Sequence, residues 1–314
     1  WNRFVSGRAR RFCARRPYKL RMETRPIDAD DVVAVYDDMG SQQDSSDAGP
    51  SIHYGFYDAD HDDRAAAVEN MNRVLSEAVD VGPDDRVLVL GCGAGDESVW
   101  LARQRGATVV GVDVSDRQLD RARKYATDRG VTDSVTFRNV DFHDLTEFDA
   151  GSFDVVWALE AFCHSGDDCG VLEQARRVLH DGESDGPSAS NSAGGRLVVG
   201  DLFQLPRELS KAEQTQLRSA NDALGARVDP IDEFVEHIHD LGFENVDVRD
   251  VTESIMPSSR QRGLYGRLAY RPYQLLQRLG LASQTRVDVL RGSGQLHKLV
   301  QSGALGYYHV TAEC

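Results

Sequence analysis

Apolar residues come in short bursts along this chain, and the spacing inside the bursts alternates between two kinds. Runs of five to seven residues dense in Val, Leu and aromatics, flanked by turn formers, recur at Arg86–Leu90, Thr108–Val112, Ser134–Val140, Asp154–Leu159, Arg196–Gly200, Val246–Val251 and Gly306–Ala312. Runs of that length read as strands, and those apolar on both faces as strands buried in a parallel sheet. Between and around them lie stretches with helical spacing: 28–39, 64–79, 97–104, 116–129, 170–179, 206–224 and 231–241. Ser258–Lys298, rich in Arg, Leu, Tyr and Gln, also looks helical, with breaks expected near Pro272 and Gly280. Strand–helix alternation of this kind predicts an α/β fold, a doubly wound, mostly parallel seven-stranded sheet.

The stretch from Arg86 to Asp113 organises the rest. It reads strand, glycine loop, helix, strand, acid. Gly91, Gly93 and Gly95 stand at alternate positions, where glycine opens backbone angles closed to other residues and lets a ligand approach the main chain. Asp113, at the carboxyl end of the second strand, can accept two hydrogen bonds from a ribose diol, at the place where open α/β sheets bind ligands. A nucleoside is the expected guest; the alternative is a tight turn with no ligand. The dinucleotide fingerprint is G-x-G-x-x-G, but here the position of its third glycine is Asp96. An acid there would repel the pyrophosphate that a helix start attracts. S-adenosylmethionine carries no phosphate and a positive sulfonium, so the spacing favours it over NAD. Asp141, with Phe142 beside it, ends the third strand and could accept from an adenine amino group while the aromatic packs on the ring. Cys92, a small side chain within the loop, and Val114, Gln118 and Leu159, near the next strand tips, are assigned to the same cofactor site.

At this point the chain resembles the class I S-adenosylmethionine-dependent methyltransferases. VLVLGCGAG looks like their first motif, GVDVSDRQLDRA their second, and NVDFHDL with FDVVWALE their third and fourth. Members of this group often carry a helical insertion before the last strand, which implies a cap over 252–305. An H-[WYH]-G-[FY]-[WY] segment in relatives resembles IHYGFYD here, which holds His53, Tyr54, Phe56 and Tyr57. These aromatics either pack a helix onto the sheet or form a lid over the substrate; the resemblance favours the lid, within an N-terminal region spanning 25–80. The core would then be 81–251, completed by 306–314.

Methyl transfer from a sulfonium needs alignment and exclusion of water more than obligatory side chains. The informative residues are Glu160 and His164 in WALEAFCHS, four apart, so that one turn of helix would put them on one face. They could act as an acid/base or cation-stabilising pair, with His53 and Tyr54 completing the candidate catalytic set. Glu160 could instead hold the donor's amino group, and His164 could cap the next turn. E-A-x-C-H resembles the sterol C-24 methyltransferases and W-x-x-E-x-x-x-H the tocopherol methyltransferases; the broader group includes glycine and sarcosine methyltransferases. The proline usual after the histidine in the sterol enzymes is replaced by Ser165–Gly166, so only the pocket plan carries over. The expected activity is methylation of a small molecule, a lipid-like or prenylated quinone acceptor favoured and an amine possible. The alternative is a catalytically idle module that binds the same cofactor as a sensor or partner subunit.

Charge narrows the partners. A net charge of −15 argues against a nucleic-acid backbone. Lysine occurs only at Lys19, Lys124, Lys211 and Lys298, and Asp far outnumbers Glu, as on cytoplasmic proteins of salt-loving cells. No apolar run approaches bilayer-crossing length, so a soluble cytoplasmic protein is expected. Five cysteines without a C-x-x-C pair fit a reducing compartment and no metal site. Trp1–Arg21 carries eight basic residues and no acid; RRFCARRP lacks the apolar region of an export signal. Residues 1–24 are therefore expected to be disordered or foreign to the native chain, with Met22 its start. Ser41–Pro50 reads as a polar loop and Asp181–Gly195 as a flexible insertion.

Overall fold

The computed structural model describes residues 27, 29–40, 50–182 and 194–314. The basic N-terminal segment, nearly all of the 41–50 loop and most of the 181–195 insertion lie outside them. In chain order the described elements are helices α1 (Ala29–Gly40) and α2 (Arg64–Ala78), strand β1 (Arg86–Leu90), α3 (Asp96–Arg105), β2 (Thr108–Asp113), α4 (Asp116–Arg129), β3 (Val135–Asn139) and β4 (Val155–Leu159). A single turn of 3-10 helix, Phe162–His164, then leads to α5 (Asp168–Val178), β5 (Arg196–Gln204), α6 (Lys211–Leu224), α7 (Ile231–Asp240), β6 (Glu244–Asp250), α8 (Thr252–Arg278), α9 (Gln284–Gln301) and β7 (Leu305–Glu313).

The seven strands form one sheet in the order β3-β2-β1-β4-β5-β7-β6, parallel except for β7, which runs antiparallel to both neighbours. Chain order reverses between β1 and β4, which opens a crevice at their carboxyl ends. Alternation along the central strands builds a core on each face. Val87, Val89, Val155 and Trp157 pack with Met71, Leu75, Leu101, Leu119 and Leu299 on one side. Leu88, Leu90, Val156 and Ala158 pack with Leu172, Ala175, Phe234 and Ile238 on the other. The central strands are thus covered on both faces, as continuous apolar strands require.

Three boundaries differ from the sequence reading. Strand β5 extends to Gln204 because β7 pairs with it residue for residue, from Arg196 opposite Glu313 to Gln204 opposite Leu305. Helix α6 starts at Lys211, not Pro206, where Ser210 and Glu213 form a capping box. Helix α8 begins at Thr252 and runs through Pro257 and Pro272 without a break. Both prolines are exposed, so water can serve the carbonyls they leave unbonded. The break comes at Gly280, in the left-handed region at φ +71°.

Candidate active site

Two cavities meet at the carboxyl end of the sheet. The first encloses about 920 Å³ of empty space, its open mouth included, the scale of a small-molecule site. Gly91, Cys92, Gly93, Asp113 and Val114 line it from the tips of β1 and β2, and Gln118 from the first turn of α4; Phe142, Leu159, Glu160 and His164 come from the next strand ends or beyond them. His53 reaches it from the segment before α2. Of the residues predicted for the cofactor, Gly95 and Asp141 line neither cavity. Gly95 has φ +86°, and a Cβ there would stand 2.9 Å from both Ala122 and Phe137. It therefore performs the helix-on-strand packing that the dinucleotide fingerprint gives to its third glycine, one residue before Asp96. The Asp141 carboxylate takes the Nδ1–H of His143 at 2.5 Å, while His143 Nε2 bonds the Ser165 carbonyl. That pair lowers Asp141 and raises His143 from their ordinary values.

The glycine loop and Asp113 hold each other. The amides of Gly93 and Ser115 each donate to one Asp113 oxygen, at 2.9 Å. Each oxygen keeps a further lone pair, enough for a diol. Burial raises the Asp113 carboxyl, against the pull of those amides. At Gly93, φ is +49° and an added Cβ would meet nothing within 4 Å, so the main chain there borders open space. Opposite, His53 donates from Nδ1 to the Tyr54 carbonyl at 2.7 Å, and its buried Nε2 has no hydrogen-bond partner. Nε2 lies 3.8 Å from Asp96 and 3.7 Å from Glu97. Burial lowers the imidazole, but the carboxylates of Asp96, Glu97 and Glu160 outweigh it and leave it above its ordinary value. Burial also pushes Glu97 up to about 7. An unpartnered imidazole nitrogen between two carboxylates suits a zwitterion, and the open glycine backbone suits a nucleoside. The residues fit S-adenosylmethionine.

The second cavity, about 750 Å³ of empty space, lies behind the first. The two share Tyr36, Ile52, Glu160 and His164 as a common wall. Glu160 sits just past β4 in the left-handed region, at φ +52°, a conformation few non-glycine residues adopt without compensation. Three contacts hold it. The Tyr54 amide donates to Oε1 at 2.6 Å, the Tyr307 hydroxyl donates to the same oxygen at 3.1 Å, and Arg262 Nη1 lies 3.9 Å from Oε2. Arg262 also stacks on the Tyr54 ring at 3.9 Å and donates to the Ile52 carbonyl. His164 donates from Nδ1 to the Gly225 carbonyl at 2.8 Å and accepts the Tyr36 hydroxyl on Nε2 at 2.8 Å. Burial lowers it from its ordinary value, against the pull of the Gly225 carbonyl. A left-handed residue followed by a 3-10 turn separates Glu160 from His164 in direction, where one α-helical turn was expected. Each consequently has its own partners.

Tyr36, Asp201, Arg262 and Tyr307 escaped the sequence reading as site residues. Asp201 lines the second cavity, accepts from the Cys163 and Leu202 amides, and is pushed up to about 7 by burial. An acid after an apolar run was its signal, the same one that marked Asp113. Tyr36, Arg262 and Tyr307 lie more than 100 residues from Glu160 or arrive on another element, and no local pattern marks them.

A family model described as a methyltransferase domain matches residues 87–182, from β1 to just past α5. The 27-O-demethylrifamycin SV methyltransferase of Amycolatopsis mediterranei is 31% identical over 211 residues, which are 67% of this chain and 72% of that protein. The chain belongs to the class I S-adenosylmethionine-dependent methyltransferases. The methyltransferase is also 35% identical over 208 residues to the glycine/sarcosine/dimethylglycine N-methyltransferase of Actinopolyspora halophila, 65% of this chain and 34% of that protein. Sterol 24-C- and tocopherol O-methyltransferases, which WALEAFCHS resembles, are among its relatives too. Geranyl diphosphate C-methyltransferase from Streptomyces coelicolor, solved with S-adenosyl-L-homocysteine, shares the fold: TM-score 0.67, 19% identity, over 91% of this chain and 97% of that one. The cofactor of this methyltransferase is S-adenosyl-L-methionine, as the loop spacing predicted. Among the described residues no helix is long and apolar enough to cross a membrane.

Proposed function

We propose that this methyltransferase binds its cofactor in the first cavity and a lipid-like or prenylated quinone acceptor in the second, with transfer across the wall they share. That common wall is the observation that carries the reading: Tyr36, Glu160 and His164 face both spaces. S-adenosylmethionine supplies an electrophilic methyl group on a sulfonium. Asp113 would hold its ribose, Phe142 would pack on its adenine, and His53, Asp96 and Glu97 would receive its amino-acid end. In the second cavity Val35, Leu202, Leu224, Val228 and Leu296 offer apolar surface, and Glu160, Asp201 and Arg262 form a polar end. An elongated amphiphile suits that lining. The two carboxylates also accommodate an amine, the second acceptor class.

The wall residues have separable tasks. Glu160, fixed by Tyr54 and Tyr307, places negative charge where positive charge develops during transfer. A proton leaving an acceptor hydroxyl passes to the Tyr36 oxygen as the Tyr36 proton passes to His164 Nε2, and the Gly225 carbonyl holds the resulting imidazolium. Residues 25–80 serve as the lid and 252–305 as the cap: Gly55 bonds Ser258 Oγ, and Tyr57 bonds the Ser254 carbonyl, tying one to the other. We place the enzyme in the cytoplasm of a salt-adapted cell, with no nucleic-acid partner, on the strength of its acidic, lysine-poor composition.

Labelled S-adenosylmethionine incubated with host lipid and amine fractions, followed by mass spectrometry of labelled products, identifies the acceptor. Tyr36→Phe and Glu160→Gln should each slow transfer about 100-fold while S-adenosylhomocysteine binds as in the parent by calorimetry. Parental transfer rates in both variants would remove the shared wall from the mechanism.

A further inference from the structure

Among the described residues, the large hydrophobics left exposed are Val248 and seven others: Leu264, Tyr265, Leu268, Leu275, Leu276, Leu279 and Leu281. All seven lie on α8 or just beyond it. The same stretch breaks with the chain's acidity. No Asp or Glu occurs between Glu253 and Asp288, while six arginines do, in a protein of net charge −15. Arg260, Arg267, Arg271 and Arg278 are exposed.

The inner face of α8 is committed elsewhere. A Cβ at Gly266 would come 2.5 Å from the Leu290 carbonyl, and one at Gly263 2.5 Å from the His297 ring, both on α9. Ser259 Oγ bonds His297 at 3.0 Å. On the outer face, at about 100° per residue, the four exposed arginines fall within roughly 40° of one another, and Leu264, Leu268, Leu275 and Leu279 occupy a sector of roughly 60° beside them. The leucine row runs about 22 Å along the helix. Such parallel apolar and basic stripes match a medium with an anionic surface and an apolar interior just beneath it.

We propose that the outer face of α8 seats this methyltransferase on an anionic lipid bilayer, with the leucines entering the headgroup–acyl boundary and the arginines meeting anionic headgroups. A second copy of the chain is a poorer occupant. Off this ridge only Val248 offers another large exposed apolar side chain among the described residues, and ridge-on-ridge pairing would crowd both copies' arginines with no acid on that stretch to meet them. The acidic remainder of the protein is repelled by the same surface, which orients the seated molecule. Because Arg262 of α8 lines the second cavity on the inner side, that cavity would lie close to the membrane plane. The proposal does not depend on which acceptor is methylated.

Flotation of the full chain with phosphatidylcholine vesicles, with and without phosphatidylglycerol, tests it. The parent should float only with anionic vesicles. The double variants Leu268→Glu/Leu275→Glu and Arg267→Glu/Arg271→Glu should each weaken that binding at least about 10-fold, with S-adenosylhomocysteine affinity unchanged as proof of folding. No binding to anionic vesicles at low salt, or variants that float like the parent, would overturn the proposal. So would an oligomer that the leucine variant splits into single chains on size exclusion, since the ridge would then belong to a second copy.

Discussion

The two cavities are neighbours built in opposite ways. The first takes close to half of its wall from one short stretch of chain: a glycine loop, the acid 18 residues after Gly95, and the opening turns of α3 and α4. Within that stretch the Gly93 and Ser115 amides fix Asp113. The second is assembled from side chains on α1, the 52–54 segment, the tip of β4, β5, α8 and α9, with Tyr307 of β7 bonded to its Glu160. Much of the first is laid down by one βαβ unit, and α1, the 50–53 segment and the next strand ends complete it. The second forms only when the whole chain has closed around it. Under the proposed assignment, the cofactor's half rests largely on a local loop and the acceptor's half on side chains brought from distant elements.

The comparison can be broken at both ends. Asp113→Ala should weaken S-adenosylhomocysteine binding at least about 100-fold, since it removes two charge-assisted hydrogen bonds and strands two amides; calorimetry with full affinity would show that the loop alone makes the site. Next in size is a pH effect beneath the lid. His309 of β7 is buried, its ring beside Phe56 and its Nε2 3.3 Å from Met71 Sδ, and burial with Arg249 lowers it from 6.5 to about 4. The unfolded chain therefore binds this proton first. The stability linked to His309 is full above pH 6.5 and is lost as pH falls towards 4, about 3 kcal/mol in all. Urea titrations at stepped pH should show that slope in the parent and a flatter one in His309→Gln. Gly95→Ala should cost about 2 kcal/mol of stability through its positive φ and the contact with Ala122, read as a lower urea midpoint. The mildest change sharpens the contrast most. Arg262→Met should slow transfer about 10-fold with cofactor affinity intact; equal losses in both would mean the two cavities are energetically one.

Legibility followed the same division. All seven strands fell within a few residues of their observed limits: the central ones are short apolar runs covered on both faces, and β6, exposed along most of its length, is marked by valines alternating with charges. The ends that slipped were set by distant partners or by capping: β5 lengthened against β7, and α6 waited for Ser210. Pro272 did not interrupt α8 because its freed carbonyl faces water. At the candidate site, Gly91, Gly93 and Asp113 were predicted from local chemistry, and all three line the first cavity. Asp141, predicted by the same logic, lines neither cavity, and His143, two residues on, bonds its carboxylate. Glu160 and His164 were predicted and both line the shared wall, but a left-handed residue and a 3-10 turn stand where one α-helical turn was expected.

The sequence by itself determined the βαβ unit with its glycine loop, the sheet's seven strands, and Glu160 and His164 as candidates past the fourth strand, all of which follow from periodicity, glycine and the charge at strand ends; Tyr36 of the shared wall it did not mark. Tertiary structure alone decided which partners those residues keep. Glu160 is held by Tyr54, Tyr307 and Arg262, residues 106, 147 and 102 positions away, and His164 by Tyr36 at 128. Such contacts exist only because burial in a closed core forces buried polar groups to find one another, a demand that no local pattern along the chain records.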